Sequence, residues 1–342
     1  MIRLSFILPC YKVEKYLQAC LDSIFKIDLL PEEYEVLCFN DCSPDGTLNI
    51  LESNKAIHPN LHIYNAKENV GCGGGRNALL KIAKGQYVWI IDPDDLVASE
   101  KVVPFLLNAE KNNLDVLLFN YADITEDQEK MGTGSRFANT EVMDGLSFTD
   151  HFFGNQIVLH IGYVWRFLVR KDYLFENELF FPEKMTHQDT VWMPKLVLLS
   201  KRIQSVQEVG YLYWHHESSA CGQFITSYPA KAIYTRCVKV TDLLLDFVNE
   251  LEDMQDQDNR YHKYAQAFLD FAQSYYLNKL PLFLCRTSEQ ERRNFYEILK
   301  TNTIPRRILR LATLMTHILL NPVIGPSISS FASCVYKLTH KK

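Results

Sequence analysis

The chain of 342 residues, 47% hydrophobic and 23% charged, is long enough for one large folded domain plus an appendage, which excludes a disordered or fibrous protein. Its net charge of −5 divides unevenly: no Asp or Glu follows Glu297, so Lys300, Arg306, Arg307, Arg310, Lys337, Lys341 and Lys342 set +7 against −12 in the residues before them. The acidic body argues against nucleic acid as a partner, and nine cysteines, odd in number and without a CxxC pair, fit a reduced, cytosolic compartment rather than a disulfide scaffold.

Leu4–Pro9 reads as a strand and is too short for the apolar core of a signal peptide. Lys15–Phe25 follows with Tyr16, Leu17, Cys20, Leu21, Ile24 and Phe25 at helical spacing. A strand is expected at Tyr34–Asn40, a helix from Thr47 to Ser53, a strand at His62–Asn65, a helix from Gly74 to Lys84 and a strand at Tyr87–Ile91. A helix at Glu100–Asn112 and a strand at Leu114–Asn120 continue the alternation. Alternating strands and helices predict an α/β fold with a doubly wound, mostly parallel sheet. Ligands of such sheets sit beyond the carboxyl ends of the strands, so Asp41 and Asp92, each at a strand end, should share one edge. Residues 123–161 are polar and weakly periodic and read as an excursion. Thr190–Leu199 reads as a helix, Ile203–Tyr213 alternates as a strand does, and helices are expected near 230–250, 261–284 and 288–301.

The junction of Tyr87–Ile91 with Asp92-Pro93-Asp94-Asp95 is the strongest chemical signal. Three carboxylates at one strand end repel one another and call for a cation, and Mg²⁺ or Mn²⁺ suits hard oxygen ligands that act together with substrate phosphates. The competing reading is a polar turn capping the next helix. The glycine run Gly71–Gly75, ahead of a helix, offers backbone N–H groups to an anion, or else marks a turn needing φ > 0. Arg76 reads either as a fixed fork for a base or phosphate or as a surface ion pair. The aromatic residues Trp165, Phe167, Trp192, Tyr211 and Trp214 are core by default and acceptor-stacking candidates otherwise.

Pro9-Cys10-Tyr11, then Asn40-Asp41-Cys42-Ser43-Pro44-Asp45-Gly46-Thr47, Asn69 to Asn77, Asp92-Pro93-Asp94-Asp95 and His187-Gln188-Asp189 follow one another in an order that resembles the family 2 glycosyltransferases, over about residues 3–220. That family's usual text is PxYN, DDGSxDGT, NxGxxxARN, DxDD and ED. This chain departs from it at Lys12, Asn40, Cys42, Gly75 and Gln188. The resemblance implies an inverting enzyme of GT-A fold that moves a hexose or N-acetylhexosamine from a UDP-sugar to a glycan or lipid-linked acceptor in bacterial surface polysaccharide synthesis. It implies that Pro9 and Tyr11 wall the nucleoside and that Asp41 accepts from the uracil N3–H. Gly71, Arg76 and Asp92 would hold the donor, Asp94 and His215 the metal, and Asp189 would be the base. For Asp41 the alternative is an Asx-turn preparing the helix at Thr47, and for Asp189 a helix N-cap. His215 and His216 point opposite ways on an extended chain, so at most one faces the site. A sugar-phosphate nucleotidyltransferase would carry a GxGxR-type loop where this chain has Pro9-Cys10-Tyr11-Lys12. A catalytically degenerate binding or scaffold protein of the same fold is the remaining alternative.

The expected organisation is a catalytic domain over 1–225, a helical extension over 226–303 and a basic apolar tail over 304–342. Ile308–Leu320 is too short to cross a bilayer, which takes about 20 residues. A peripheral contact with the inner face of the cell membrane is one reading of the tail, and docking on the catalytic domain or on a second subunit of a homodimer is the other.

Overall fold

The computed structural model describes residues 1–125, 130–133, 137–152, 163–185, 188–216 and 230–271. The chain divides into two compact units, Met1–Glu217 and Ser218–Lys342. The first opens with β1 (Leu4–Cys10), α1 (Leu17–Phe25), β2 (Tyr34–Asn40), α2 (Thr47–Lys55), β3 (Leu61–Asn65), α3 (Gly71–Ile82) and β4 (Tyr87–Ile90). It continues with β5 (Leu96–Val97), α4 (Ser99–Lys111), β6 (Val116–Ile124), β7 (Lys130–Thr133), α5 (Gly145–Phe152), β8 (Phe167–Arg170), α6 (Lys171–Glu176), α7 (Asp189–Leu198) and β9 (Ile203–Trp214).

These strands form one sheet ordered β3-β2-β1-β4-β8-β6-β9-β5, with β7 paired to β6. The pairs β1–β2, β2–β3, β1–β4 and β6–β9 are parallel, and β8 lies antiparallel between β4 and β6. The six strands β1, β2, β3, β4, β6 and β9 therefore run the same way, which is the parallel frame the alternation predicted. The reversed β8 and the short antiparallel β5 and β7 make the sheet mixed. Every residue of β1 is buried, as a central strand covered on both faces requires. Leu4, Phe6, Leu8 and Cys10 pack with Leu17, Cys20, Leu21 and Ile24, the apolar stripe of α1.

Several boundaries shift by one or two residues from the sequence reading, and three differences have a structural content. Helix α3 begins at Gly71 rather than Gly74: Gly71 enters it with a positive φ of 78°, as the turn reading of the glycines allowed, and the later glycines lie inside the helix where packing is close. A Cβ on Gly73 would meet the Pro182 carbonyl oxygen at 2.8 Å, and one on Gly75 would meet the Phe39 ring at 3.0 Å. β6 runs on to Ile124 because Asn120, polar but fully buried, satisfies its amide on the carbonyls of Phe137 and Gln207. The 123–161 stretch holds β7 and α5 among its described residues, so it is more than an excursion.

In the second unit, α8 (Ala230–Asp253) buries Val240, Leu244, Phe247 and Leu251, spaced 4-3-4 as one helix face. A helix over 260–271 brings Phe268 edge-on to Phe247 at 5.3 Å. The expected helix at 288–301 and the tail 304–342 lie outside the described residues.

Candidate active site

Because β1, β2 and β4 are parallel neighbours, their carboxyl ends deliver Tyr11, Asp41 and Asp92 to one edge of the sheet. The chain turns sharply there. Lys12 and Cys42, just past β1 and β2, both take left-handed backbone with φ of 57°. That region disfavours side chains other than Asn, Asp and Gly. These are two of the positions where the family text has Asn and Gly, so the departures fall on strained backbone.

Asp41 is buried, and its two carboxylate oxygens accept from the backbone N–H groups of Val70 (2.7 Å) and Gly71 (2.8 Å). The expectation that Gly71 offers its N–H to a ligand anion is corrected by this contact: the anion at the start of α3 is the protein's own carboxylate. Nor does Asp41 prepare α2, whose first turn is capped by Asp45 Oδ1 accepting from the Thr47 N–H and hydroxyl. Pro9 is buried under Gly75 and supports the edge from below, whereas Tyr11 is 44% exposed on the rim with the Lys12 ammonium 5.2 Å from its ring centre.

Arg76 is buried on α3, lies over the Phe181 ring and donates from Nη2 to Asp92 Oδ1 at 2.7 Å. It is not a surface ion pair. Burial pushes the Asp92 carboxyl up, Arg76 pulls it back, and neighbouring Asp94 pushes it up again. Asp189, the first residue of α7, is likewise raised by burial and lowered by Arg76. One guanidinium thus acts on carboxylates from two distant parts of the chain.

Asn77 explains how α7 reaches this place. Its side chain exchanges two hydrogen bonds of 2.8 Å with the backbone of Phe181, which fastens the segment before Gln188-Asp189 to α3. Gln188 is buried, donates to the Met185 carbonyl and rests on Gly73. Two buried polar atoms here, Arg76 Nε and Gln188 Oε1, have no hydrogen-bond partner among the described residues.

The histidine expectation is reversed. His215, named for the metal, is 51% exposed and lies 2.7 Å from Asp123 Oδ1. His216 is 2% exposed and places Nε2 at 3.2 Å from Asp94 Oδ2, its ring stacked on Tyr16. Beyond the end of β9 the chain leaves the strand, so alternation could not say which of the two turns inward. Asp95 does not cap α4. It is buried and accepts from the Tyr211 hydroxyl and the Trp214 N–H, both at 2.8 Å, which ties the strand end to β9. The five aromatic candidates for stacking are all core residues.

Asp94 and His216 suit a divalent cation, since ligands at 2.0–2.1 Å on adjacent octahedral positions lie about 3 Å apart. No group of three or more metal-ligating side chains occurs among the described residues.

A crossover α/β sheet whose edge gathers carboxylates around one buried arginine defines the class: a fold of the kind that takes its ligands beyond the carboxyl ends of its strands. A model of the glycosyl transferase family 2 matches residues 5–175, and the chain belongs to that family. It is 29% identical over 217 residues to a poly(ribitol-phosphate) beta-glucosyltransferase of Bacillus spizizenii, covering 62% of this chain and 32% of that protein. It is 28% identical over 219 residues to the poly(ribitol-phosphate) beta-N-acetylglucosaminyltransferase TarS of Staphylococcus aureus, covering 62% of this chain and 35% of that one. The chain thus spans about a third of the length of these two relatives. The crystal structure of S. aureus TarS 1-349 in complex with UDP-GlcNAc shares the fold, with a TM-score of 0.63, 21% identity and coverage of 93% of this chain and 90% of that one.

Proposed function

We propose that this protein is an inverting glycosyltransferase that moves a hexose or N-acetylhexosamine from a UDP-sugar to a glycan or lipid-linked acceptor in bacterial surface polymer synthesis. The observation that carries the reading is the buried Arg76–Asp92 ion pair at the strand ends, with the Asn77–Phe181 hydrogen bonds fastening the segment that leads to Asp189 onto the same helix. Asp92 and Arg76 hold the donor, with the guanidinium kept rigid by Phe181 beneath it. Tyr11 forms the outer wall for the nucleoside. Each oxygen of Asp41 keeps a second lone pair beside its bond to the α3 backbone, and the uracil N3–H uses one of them. Asp189 takes the proton from the acceptor hydroxyl as that oxygen attacks the anomeric carbon from the face opposite the leaving UDP. Its raised carboxyl suits that task, because a stronger base accepts the proton more readily.

Asp94 and His216 are the groups that would hold Mn²⁺ or Mg²⁺. When bound, such an ion neutralises the charge that develops on the departing diphosphate.

No helix among the described residues is long and apolar enough to cross a membrane. We place the protein in the cytoplasm at the inner face of the membrane, where lipid-linked acceptors are found. The basic tail supplies either that contact or a homodimer contact.

The test is calorimetry with UDP, UDP-sugars and GDP-mannose, each with and without Mn²⁺, followed by transfer assays on Asp189→Asn. The expected result is UDP binding strengthened by Mn²⁺ and, in the variant, transfer lost with UDP binding kept. Transfer by Asp189→Asn at the wild-type rate removes Asp189 as base.

A further inference from the structure

We infer that Tyr16 is a positioning residue that holds the His216 imidazole against Asp94 and so sets the affinity of this edge for a divalent cation. The inference rests on the reading of Asp94 and His216 as the cation-holding pair.

His216 is the second residue past the end of β9, where the ladder no longer fixes the backbone. A side chain there has rotamer freedom to lose, yet the imidazole is almost fully buried. Tyr16 lies against it, its ring stacked on the imidazole with centroids 4.0 Å apart and planes 27° apart. Tyr16 is itself fixed from two sides. Its ring meets Trp214 edge-on at 5.3 Å. Its backbone N–H donates to the Val13 carbonyl, and its own carbonyl accepts from Cys20 in the first turn of α1. The imidazole plane is therefore set by packing as well as by Asp94, and Nε2 is held 3.2 Å from Asp94 Oδ2 before any cation arrives. Groups that orient a ligand in this manner typically change metal affinity by about 10–100-fold when removed.

The aromatic face does the positioning, so Tyr16→Phe and Tyr16→Leu separate it from the hydroxyl. Mn²⁺ binding to the full chain with UDP, followed by calorimetry and pulsed electron paramagnetic resonance, reads the effect. Tyr16→Phe is expected to bind Mn²⁺ within about threefold of wild type and to keep the nitrogen modulation of a histidine ligand; Tyr16→Leu is expected to bind about 10–100-fold more weakly and to lose it. UDP binding without metal should be unchanged in both, which shows that the nucleotide wall is intact. His216→Ala should weaken Mn²⁺ at least as much, and adding Tyr16→Leu to it should cost nothing further, because Tyr16 acts through that ring. Wild-type affinity in Tyr16→Leu, or additive losses in the double variant, overturns the inference and leaves the cation pair standing. Wild-type UDP binding that is no tighter with Mn²⁺ than without it overturns the pair and the inference together.

Discussion

Arg76 Nη2 donates to Asp92 Oδ1 at 2.7 Å, and the same guanidinium draws down the carboxyl of Asp189. Asp92 lies 16 residues from Arg76 in sequence and Asp189 lies 113 away, so the three groups come together only once α3, β4 and α7 are assembled.

Replacing Arg76 by Met keeps the bulk over Phe181 but leaves Asp92 beside Asp94 with its counterion gone. A fully buried pair broken on one side costs about 3–5 kcal/mol, but Asp92 is about a third exposed, so a loss of about 1–2 kcal/mol is expected. Urea unfolding measures it. Transfer should fall far more steeply than stability, and an unchanged transfer rate in a folded Arg76→Met protein would detach Arg76 from donor binding.

Cys42→Gly should raise stability by about 0.5–1 kcal/mol, since relief of the left-handed backbone outweighs the extra entropy glycine gives the unfolded chain. Lys12→Asn should act in the same direction and by less. A shift of the denaturation midpoint to higher denaturant checks both, and a drop for Cys42→Gly would mean that the thiol contact to the Ala66 carbonyl matters more than the strain.

Asp95→Ala should destabilise by about 2–3 kcal/mol, because the Trp214 N–H and the Tyr211 hydroxyl lose a buried acceptor. The chain should still bind UDP once folded, since Asp95 reaches the site only through the Tyr211 hydroxyl, which accepts from the Asp92 N–H. Equilibrium unfolding and calorimetry on the same sample separate the two outcomes.

Asp189 must be ionised to act as base, and burial raises its carboxyl above the usual aspartate value. The acid limb of the transfer rate should therefore lie at higher pH than an ordinary carboxylate gives. Asp189→Asn should reduce transfer by about 10²–10⁴-fold at the plateau and erase that limb. Stability has the opposite sign: a raised folded carboxyl favours folding fully below the unfolded value and loses that contribution as pH rises through the folded one. Asp189→Asn should accordingly unfold at higher temperature than wild type at neutral pH, and a lower melting temperature there would contradict the burial argument.

Much of the strand-end edge was legible in the sequence. The strands β1, β2 and β4 announced themselves as apolar runs closed by polar turns, and their alternation with helices set the parallel frame, so Asp41 and Asp92 could be put on one edge before any coordinates. The apolar period and the turn chemistry that mark these strands are local, and the chain's own order carries them. Other features were not legible, because they depend on residues far apart in sequence. The choice of His216 over His215 was made by Tyr16 and Asp94, one 200 and the other 122 positions away. The glycines of α3 looked like a cradle for phosphate and proved to be room for Pro182, Gln188 and Phe39. Asp41 looked like a ligand group and is first a clasp for α3. The sequence by itself determined which residue types meet at the strand ends, since period and turn chemistry are local properties. Only the tertiary structure decided which partner each one takes, because a carboxylate's partner is whatever donor packing brings within 3 Å.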